Sequence, residues 1–486
     1  MDIKDPVMFD VKRIEGRRWH SGVGYWSTPA SLRAWNQLEA LGFRMYSHGG
    51  GLSYVNWLAR NCDVPPIEGV NPLFPYQRVG VSRLLTRSKM ILADDPGLGK
   101  TWQAIEWGKR TETKKLVLAP KVVLTQWRDQ IEGRYLAENN VTTTHTRAAE
   151  WDYGWNIVNP EFLPKLKEPE QPFDLIVDEA HLMTNMKSAR TKRTLALADA
   201  SKRVLLLTGT PPAKPVKLWP FLLMTGERTP KEFFPYALRY CGAEKGDYGW
   251  DFGGATHMDE LKDELVHVML RRTKEEVMED LPELLERTIK VEDSKMAERT
   301  AISKLDAIIQ DQLDRGHRNI GEVQTLRASI SKQKIPTTVD YVRSLGPTKI
   351  VLFAEFRETI STLNEIFLDE EWDEGAQCCP LVIHGDTTDA QRTEILSLFN
   401  KLSWPVLILQ SQVGGLALDG LQVASTGIVH DLPWTADELK QMISRLHRTG
   451  QKSNVNLVNI LSTSYQEEKM LKGIRAGQDL EEALYG

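Results

Sequence analysis

Residues 90–101 are MILADDPGLGKT, and this stretch decides the fold class. Its first four residues form a short apolar strand candidate, a glycine-containing turn follows, and a helical pattern begins at Thr101. A strand, a glycine loop and a helix in this order gather backbone N–H groups and a helix N-terminus around one anion. The stretch predicts a phosphate-binding α/β unit, although the strict loop pattern has glycine where Asp94 stands. A plain tight turn is the alternative that the loop alone leaves open.

Strand candidates of the same kind recur along the chain, each short, unbroken and rich in branched apolar residues. Such runs are typical of parallel strands that helices cover on both faces. They are residues 90–93, 116–118, 155–158, 174–177 and 204–207 in a first set, and residues 350–353, 381–384, 406–409, 427–429 and 455–460 in a second. The pattern predicts two parallel α/β lobes. We assign residues 1–50 to a small strand–strand–helix module, 51–282 to lobe 1, 283–345 to a charged helical linker without strands, and 346–486 to lobe 2.

Length and composition narrow the class of protein. A chain of 486 residues with 41% hydrophobic residues has the size of two large globular domains with a small appendage. No apolar run is long enough for a membrane span, and the N-terminus lacks the pattern of a secretory signal. The four cysteines have no CxxC spacing, so a disulfide scaffold or zinc site is not expected. The net charge of −5 argues against coating nucleic acid by bulk charge, but it permits a basic groove.

An acidic pair follows the strand candidate at residues 174–177. Asp178 stands at the strand end, where it can hold Mg²⁺ through water, and Glu179 can orient and deprotonate an attacking water. In the glycine loop, Lys100 is placed to reach the β- and γ-phosphates of ATP, and the Thr101 hydroxyl to hold the metal. An acidic pair alone is equally typical of a solvated turn, but its place one crossover after the loop favours the catalytic interpretation.

Three further segments carry candidate chemistry. Residues 205–212, LLLTGTPP, are a strand ending in a polar turn whose hydroxyls can sense the γ-phosphate. Residues 410–420 are glycine-rich, as in a loop that approaches a phosphate chain or in a flexible surface loop. Gln441, Arg445 and Arg448 fall at i, i+4 and i+7, which places them on one face of a helix. The two arginines are either a solvated basic stripe or arginine fingers that neutralise charge in the transition state.

The amino-acid sequences of these segments resemble those of the Swi/Snf family of superfamily-two helicases, and the resemblance covers roughly residues 70–465. The matching stretches are ADDPGLGKTWQAI (93–105), LVLAPKVVLTQW (116–127), DLIVDEAH (174–181), LLLTGTPP (205–212), MLRRTKEEVMEDLP (269–282) and QMISRLHRTGQ (441–451). The resemblance implies two RecA-like lobes that flank an ATP cleft. In this family an aspartate also occupies the position of Asp94, so the resemblance makes this departure from the strict loop pattern expected.

The resemblance assigns roles to individual residues. The nucleotide contacts that it implies are Gln77 on the adenine, Gly97, Gly99, Lys100 and Thr101 in the loop, and Gln441 beside the fingers Arg445 and Arg448. The Swi/Snf family commonly has Asn where Asp419 stands, but Asp is usual there in other branches of superfamily two, where it contacts the ribose, so a ribose contact is expected for Asp419. It further implies that Lys121, Thr208, Ser411 and Gly415 contact the sugar–phosphate backbone of DNA. Backbone contacts carry no sequence information, so movement along DNA is expected to be sequence-independent and salt-sensitive.

The first fifty residues contain a second resemblance. IEGRRW (14–19), GYWSTP (24–29) and an amphipathic helix over residues 28–41 are similar to the HARP module of annealing helicases. The similarity implies that Arg17, Arg18, Trp19 and Trp26 engage a branch or single-strand junction through cationic and aromatic contacts. The alternative is that both tryptophans form the core of the small module.

The sequence thus predicts an ATP-dependent, Mg²⁺-using translocase on double-stranded DNA that remodels branched or protein-bound DNA by fork regression, branch migration or annealing. Two alternatives stay open: a strand-separating DNA or RNA helicase, and a DNA-binding or host-interaction protein that uses ATP as a structural ligand. The compact form resembles bacterial or phage enzymes. We expect a monomer in a bacterial or phage-infected cytoplasm, or in the nucleus of a eukaryote, without membrane association.

Overall fold

The computed structural model describes most of the two predicted lobes and two short N-terminal strands. The described residues are 18–20, 25–27, 73–111, 113–134, 141–144, 154–165, 172–246, 249–278, 281–291, 320–369, 371–372, 376–411, 418, 420–448, 450–463 and 465–485. The N-terminal strands, β1 (Arg18–His20) and β2 (Tyr25–Ser27), pair antiparallel, with Trp19 opposite Trp26 in the register. The helix predicted over residues 28–41 lies outside the described residues.

In its described residues, lobe 1 contains a parallel sheet of seven strands in the order β11-β3-β8-β7-β4-β6-β5. The strands are β3 (Lys89–Leu92), β4 (Lys114–Leu118), β5 (Val141–Thr144), β6 (Trp155–Val158), β7 (Phe173–Val177), β8 (Arg203–Leu207) and β11 (Met269–Leu270). The helices are α1 (Pro75–Leu85), α2 (Lys100–Lys109), α3 (Leu124–Arg134), α4 (Ala189–Ala200), α5 (Pro215–Met224), α6 (Phe233–Tyr240), α7 (Met258–Leu265) and α8 (Lys274–Val277). A hairpin of β9 (Glu244–Gly246) and β10 (Gly249–Asp251) follows α6.

The five strands predicted for lobe 1 are confirmed, and each is mostly apolar and buried on both faces. All five residues of β7 are buried, and separate hydrophobic cores cover the two sides of the sheet. β8 lies between β3 and β7, so the turns after these three strands meet at one edge. Those turns are the glycine loop, the TGTPP turn and the segment DEAH. The topology therefore brings together three segments that are far apart in the sequence.

The part of lobe 2 that the structure describes contains a parallel sheet of six strands in the order β12-β19-β18-β13-β17-β16. The strands are β12 (Leu284–Val291), β13 (Ile350–Ala354), β16 (Cys379–Ile383), β17 (Pro405–Gln410), β18 (Thr426–Val429) and β19 (Val455–Ser462), with a small pair of β14 (Glu371–Trp372) and β15 (Ala376–Gln377). The helices are α9 (Ile320–Leu345), α10 (Arg357–Leu368), α11 (Asp389–Lys401), α12 (Ala436–Leu446) and α13 (Tyr465–Tyr485). Single 3₁₀ segments are Lys121–Val123, Pro160–Lys165, Ala180–Met183, Pro230–Glu232 and Leu421–Val423.

The prediction that residues 283–345 contain no strand is wrong. Strand β12 pairs in parallel with β19 along its whole length and forms an edge of the lobe 2 sheet. An edge strand has a neighbour on one side only, and most of β12 is exposed, so its sequence LLERTIKV lacks the continuous apolar run of a central strand. Helix α9 also packs on lobe 2, where Ile335, Val339 and Val342 join one of its cores. The described parts of this segment, β12 and α9, therefore belong structurally to lobe 2.

Helix α13 connects the two lobes. Ile474 is buried in a lobe 2 core, whereas Leu484 and Tyr485 at the other end are buried in a lobe 1 core. A helix of 21 residues is about 30 Å long, which is enough to cross from one lobe to the other. Among the helices that the structure describes, none combines the length and apolar character that a membrane crossing needs.

Candidate nucleotide site at the junction of the lobes

The glycine loop has the backbone geometry that its sequence predicts. Gly97 and Gly99 have φ values of 93° and 72°, a region that favours glycine, and α2 begins at Lys100. A Cβ atom on Gly99 would lie 2.3 Å from Gln77 Nε2. Lys100 Nζ donates to the carbonyl oxygens of Asp94 at 2.8 Å and Asp95 at 3.2 Å. Burial lowers the pKa of Lys100, although nearby carboxylates oppose this shift. The amine therefore lies inside the loop, next to the predicted phosphate position.

Asp94, where the strict loop pattern has glycine, has a structural role. Its carboxylate accepts hydrogen bonds from Arg272 Nε at 3.0 Å, from Arg272 Nη2, and from Gln103 Nε2 at 3.0 Å. Arg272 also donates to Gln103 Oε1 at 2.7 Å and lies over the ring of Tyr76. Asp94 is fully buried, and Arg272 and Gln103 are also buried. The network ties the loop to β11 and α1, so the aspartate stabilises the loop by side-chain contacts.

The acidic pair after β7 is held in a defined arrangement. Asp178 Oδ2 accepts from Trp127 Nε1 at 2.7 Å, and its Oδ1 accepts from the Glu179 backbone N–H at 2.9 Å. Glu179 has φ 47° and ψ 51°, a left-handed conformation that costs a non-glycine residue free energy and is frequent at functional sites. Its Oε2 lies 3.2 Å from His181 Nδ1, which is 3.5 Å from Thr208 Oγ1. The DEAH segment is thereby linked to the TGTPP turn.

The two carboxyl groups have opposite pKa shifts. Burial, followed by the charge of Glu179, raises the pKa of Asp178, while the Trp127 and backbone hydrogen bonds counteract the increase. Burial also acts to raise the pKa of Glu179, but His181, Lys100 and Arg445 outweigh it and lower that pKa. Glu179 therefore stays ionised, as a proton acceptor must be. A bound divalent cation would favour the ionised form of Asp178 as well.

A cavity of about 180 Å³ joins the elements of both lobes. Its lobe 1 lining includes Gly97, Gly99, Lys100, Thr101, Trp127, Asp178 and Glu179, and its lobe 2 lining is Gln441, Ser444, Arg445 and Arg448. A Cβ atom on Gly97 would lie 3.2 Å from Arg448 Cβ, so the glycine loop of lobe 1 and the backbone around Arg448 of lobe 2 approach closely. The structure thus brings most of the predicted nucleotide residues to one cavity.

The predicted placement of the arginines on one helix is wrong in one respect. Helix α12 ends at Leu446, and His447 has φ −90° and ψ 83°, so Arg448 lies beyond the helix. The His447 carbonyl accepts from Lys274 Nζ of lobe 1, and His447 Nε2 donates to the Pro282 carbonyl at 2.6 Å. These contacts turn the chain after the helix. Arg448 reaches the cavity because of that turn and not because of helical periodicity.

The predicted adenine contact lies against the loop. Gln77 Nε2 donates to the Leu98 carbonyl at 3.0 Å, and its Oε1 accepts from the Phe74 backbone N–H at 2.9 Å. Both ends of the amide are thus used within lobe 1, and its contact with adenine stays a prediction. Asp419, predicted to contact the ribose, lies outside the described residues, as do Gly415 and Arg17. For Arg18, Trp19 and Trp26 only the strand backbone is described.

The predicted DNA contacts differ in exposure. Lys121 is exposed at the start of a 3₁₀ turn after β4, and Ser411 lines a second interlobe cavity of about 440 Å³, which shares Glu179 and Gln441 with the first. Thr208 is fully buried beside His181. The prediction that Thr208 contacts DNA therefore does not fit this conformation. Its hydroxyl lies 3.5 Å from His181 Nδ1, and the other predicted role, sensing of the γ-phosphate by the hydroxyls of this turn, stays a prediction.

Several important residues were not identified from the sequence. Trp127 holds Asp178, Arg272 holds Asp94, and Lys274 holds the chain just before Arg448. The signals were present in LVLAPKVVLTQW and MLRRTKEEV, because both segments are part of the family resemblance. Local patterns gave no partner for these side chains, since the partners lie 51 to 178 residues away.

The fold and the cavity define a class of protein. It has two parallel-sheet lobes on either side of a cleft: one carries the DEAH segment and the glycine loop that is predicted to bind phosphate (the phosphate loop), and the other carries the paired arginines. Comparison with family models identifies the class further. The SNF2-related domain matches residues 76–336, more than half of the chain, and the helicase conserved C-terminal domain matches residues 333–450. The chain belongs to the SNF2-related family, as the motifs predict.

Several individual proteins are similar to most of this chain. The SWI/SNF-related matrix-associated actin-dependent regulator of chromatin subfamily A-like protein 1 of Bos taurus is 31% identical over 407 residues, which are 80% of this chain and 42% of the relative. The DNA annealing helicase and endonuclease ZRANB3 of Mus musculus is 27% identical over 82% of this chain and 39% of the relative. The chain spans about two fifths of the length of these relatives. A SWI2/SNF2 ATPase core of Sulfolobus solfataricus in complex with dsDNA is 22% identical, with a TM-score of 0.42 over 84% of this chain and 92% of that chain.

Proposed function

We propose that the protein is an ATP-dependent translocase on double-stranded DNA that remodels branched or protein-bound DNA. The observation that carries the ATPase part is the joint cavity, where Lys100 and Glu179 of lobe 1 face Arg445 and Arg448 of lobe 2. Hydrolysis then needs both lobes, because one supplies the base and the other the cations. Opening and closing of the cleft would move the lobes along the DNA in steps.

The chain offers a complete set of groups for phosphoryl transfer. Lys100 and the loop N–H groups would bind the β- and γ-phosphates, and ionised Glu179 would accept the proton of the attacking water. Arg445 and Arg448 would neutralise charge that develops on the phosphoryl oxygens. Among the residues that the structure describes, no three His, Cys, Asp or Glu side chains meet as metal ligands. Mg²⁺ would bind with the nucleotide at Thr101 and Asp178, where it supplies charge neutralisation.

Replacing Glu179 by Gln tests the catalytic assignment. We expect ATP turnover to fall by roughly 10²- to 10⁴-fold, because the amide cannot accept the proton, while nucleotide binding persists. Glu161→Gln, at a residue exposed on lobe 1, is the matched control. Turnover of Glu179→Gln at the wild-type rate would contradict the assignment and would favour ATP as a structural ligand.

The DNA part of the proposal is supported by family membership and by the relative named as a DNA annealing helicase. ATP hydrolysis should be measured with duplex DNA, a fork, single-stranded DNA and RNA. We expect the strongest stimulation by duplex or forked DNA, with no dependence on base sequence. Strongest stimulation by RNA would support a strand-separating RNA helicase instead.

For the N-terminal residues we propose a junction-binding role, which is supported by their resemblance to the HARP module. Deletion of residues 1–50 should then weaken the preference for forks more than stimulation by plain duplex. Equal losses on both substrates would indicate a structural role alone.

A further inference from the structure

Four charged side chains join lobe 2 to the phosphate loop. Lys440 Nζ lies 3.0 Å from Asp95 Oδ1 and 2.6 Å from Glu481 Oε1. Arg271 Nη2 lies 2.7 Å from the same Glu481 oxygen and 4.0 Å from Asp95 Oδ1. Asp95 belongs to the phosphate loop, Arg271 follows β11, Lys440 is on α12, and Glu481 is on α13. We call these four residues the interlobe ion cluster.

Glu481 is fixed by the docking of its helix on lobe 1. Tyr485 Oη donates to the Pro212 carbonyl in the TGTPP turn at 2.9 Å, and Arg271 lies 4.9 Å from the centroid of the Tyr485 ring. Leu484 is fully buried in the lobe 1 core. The carboxylate that contacts Lys440 is therefore held by lobe 1, although α13 begins on lobe 2.

A second contact holds the C-terminal end of residues 440–448, the segment that carries Arg445 and Arg448. Lys274 of lobe 1 donates through Nζ to the His447 carbonyl and through its backbone N–H to Asp95 Oδ2 at 3.2 Å. Lobe 1 thus holds this segment at Lys440 and again at His447. Arg445 lies between these two points, and Arg448 follows directly after the second.

The cluster is electrostatically balanced and mostly shielded from water. It contains two cations and two carboxylates, and its side chains are between 10% and 28% exposed. Salt screens charges with this degree of burial less than it screens surface pairs. Burial acts to raise the pKa of Asp95, but Lys440 and Arg271 outweigh it and lower the pKa, so the carboxylate stays ionised.

We infer that Lys440 is a positioning residue for ATP hydrolysis, which with Glu481 holds α12 against the phosphate loop so that Arg445 and Arg448 face Lys100. This inference rests on the proposed ATPase function and names a residue that acts on the reaction only through the arginines. Lys440 lies five and eight residues before them, and it is absent from the lining of the nucleotide cavity.

Substitution of Lys440 by Met in the full chain tests the inference. We expect kcat for duplex-stimulated ATP hydrolysis to fall about tenfold, or about 1.4 kcal/mol, because the arginines lose their fixed position. Lys440→Arg, which keeps the charge, should restore most of the rate. Lys472→Met, at an exposed lysine of α13, is the matched control and should leave kcat unchanged. Unfolding temperatures of all variants show whether the fold is intact.

A purely electrostatic role makes a different prediction, so it can be separated. Removing Lys440 leaves two carboxylates with one cation near the phosphates, whereas removing the charge of Glu481 leaves two cations with one carboxylate. If only charge matters, Lys440→Met raises KM for ATP and Glu481→Gln lowers it. Positioning predicts that both variants lower kcat, and that Glu482→Gln, at the exposed neighbouring residue, does not. Opposite shifts in KM with unchanged kcat would overturn the inference.

Combination with Arg445→Ala and Arg448→Ala shows whether Lys440 acts through the arginines. In single-turnover experiments, Lys440→Met should cost far less than tenfold once both arginines are removed. A full tenfold further loss would overturn the inference. If the wild-type protein does not hydrolyse ATP at all, the proposed function fails; if it does and Lys440→Met is as fast, only the positioning role fails.

Discussion

The two sides of the cleft hold their functional groups in different ways. In lobe 1, Asp178 and Lys100 are fixed by contacts within the same lobe, with Trp127 and with the loop carbonyls. In lobe 2, helix α12 packs in the core of its own lobe through Leu439, Met442 and Leu446. The segment that carries Arg445 and Arg448 is held in addition by lobe 1, through Lys440 and the His447 carbonyl. From this difference we expect lobe 1 to be preorganised for the proposed nucleotide, and the arginines to reach the arrangement proposed for catalysis only when the cleft is closed.

The largest effect should come from the lobe 2 side. We expect Arg448→Ala to lower kcat by on the order of 10³-fold, because an arginine finger stabilises charge mainly in the transition state. Nucleotide affinity, measured by equilibrium binding, should change much less. A large loss of affinity with unchanged kcat would place Arg448 with the binding groups of lobe 1 and remove the contrast between the lobes.

A lobe 1 substitution should instead affect stability. Arg272→Met leaves the buried carboxylate of Asp94 without its cation. We expect this to lower the free energy of unfolding by about 3–5 kcal/mol. The measurement is denaturant unfolding followed by a lobe 1 tryptophan signal. Arg87→Met, which removes an exposed ion pair with Glu227, is the control and should cost less than about 1 kcal/mol. Equal losses in the free energy of unfolding for the two variants would argue against a stabilising role of the Arg272–Asp94 network under the loop.

The pH dependence of hydrolysis sharpens the description of lobe 1. The Trp127 hydrogen bond stabilises ionised Asp178, so Trp127→Phe should raise the pKa of Asp178 further. The acidic limb of the rate profile should then move to higher pH by about one to two units, since hydrogen bonds to charged groups contribute about 1.5–3 kcal/mol and one pKa unit corresponds to about 1.4 kcal/mol. Trp107→Phe removes a bond to the neutral Leu84 carbonyl and should leave that limb in place. A shift in both variants would point to general loosening of lobe 1.

The smallest effect concerns the DNA contact proposed for Lys121. Lys121→Ala should weaken duplex binding slightly for all sequences and reduce the slope of log K against log salt by about 0.9, the value for one phosphate contact. Lys202→Ala is the matched control. This exposed lysine directly precedes β8, so it lies at the amino-terminal ends of the strands, whereas Lys121 follows the carboxyl end of β4. The prediction fails if both lysines change the slope equally.

The accuracy of sequence-based prediction varied with the kind of element. Central strands such as β7 and β13 were predicted because burial on both faces demands an uninterrupted apolar run. The edge strand β12 was missed because half of its environment is solvent and its sequence is mixed. In the site, the glycine loop and the acidic pair were predicted from local order. The helical placement of Arg448 was not correct: the helix ends at Leu446, and the carbonyl of the next residue, His447, contacts Lys274, which lies 173 residues away.

The sequence by itself determined the lobes, the phosphate loop and the residue types of the cleft, because backbone geometry and strand burial leave a local pattern. The tertiary structure alone decided which side chains support them. Arg272 meets Asp94 across 178 residues because β11 pairs with β3, and Lys440 meets Asp95 because α12 faces the loop across the cleft. Such pairings depend on which elements become neighbours, and no local pattern encodes that choice.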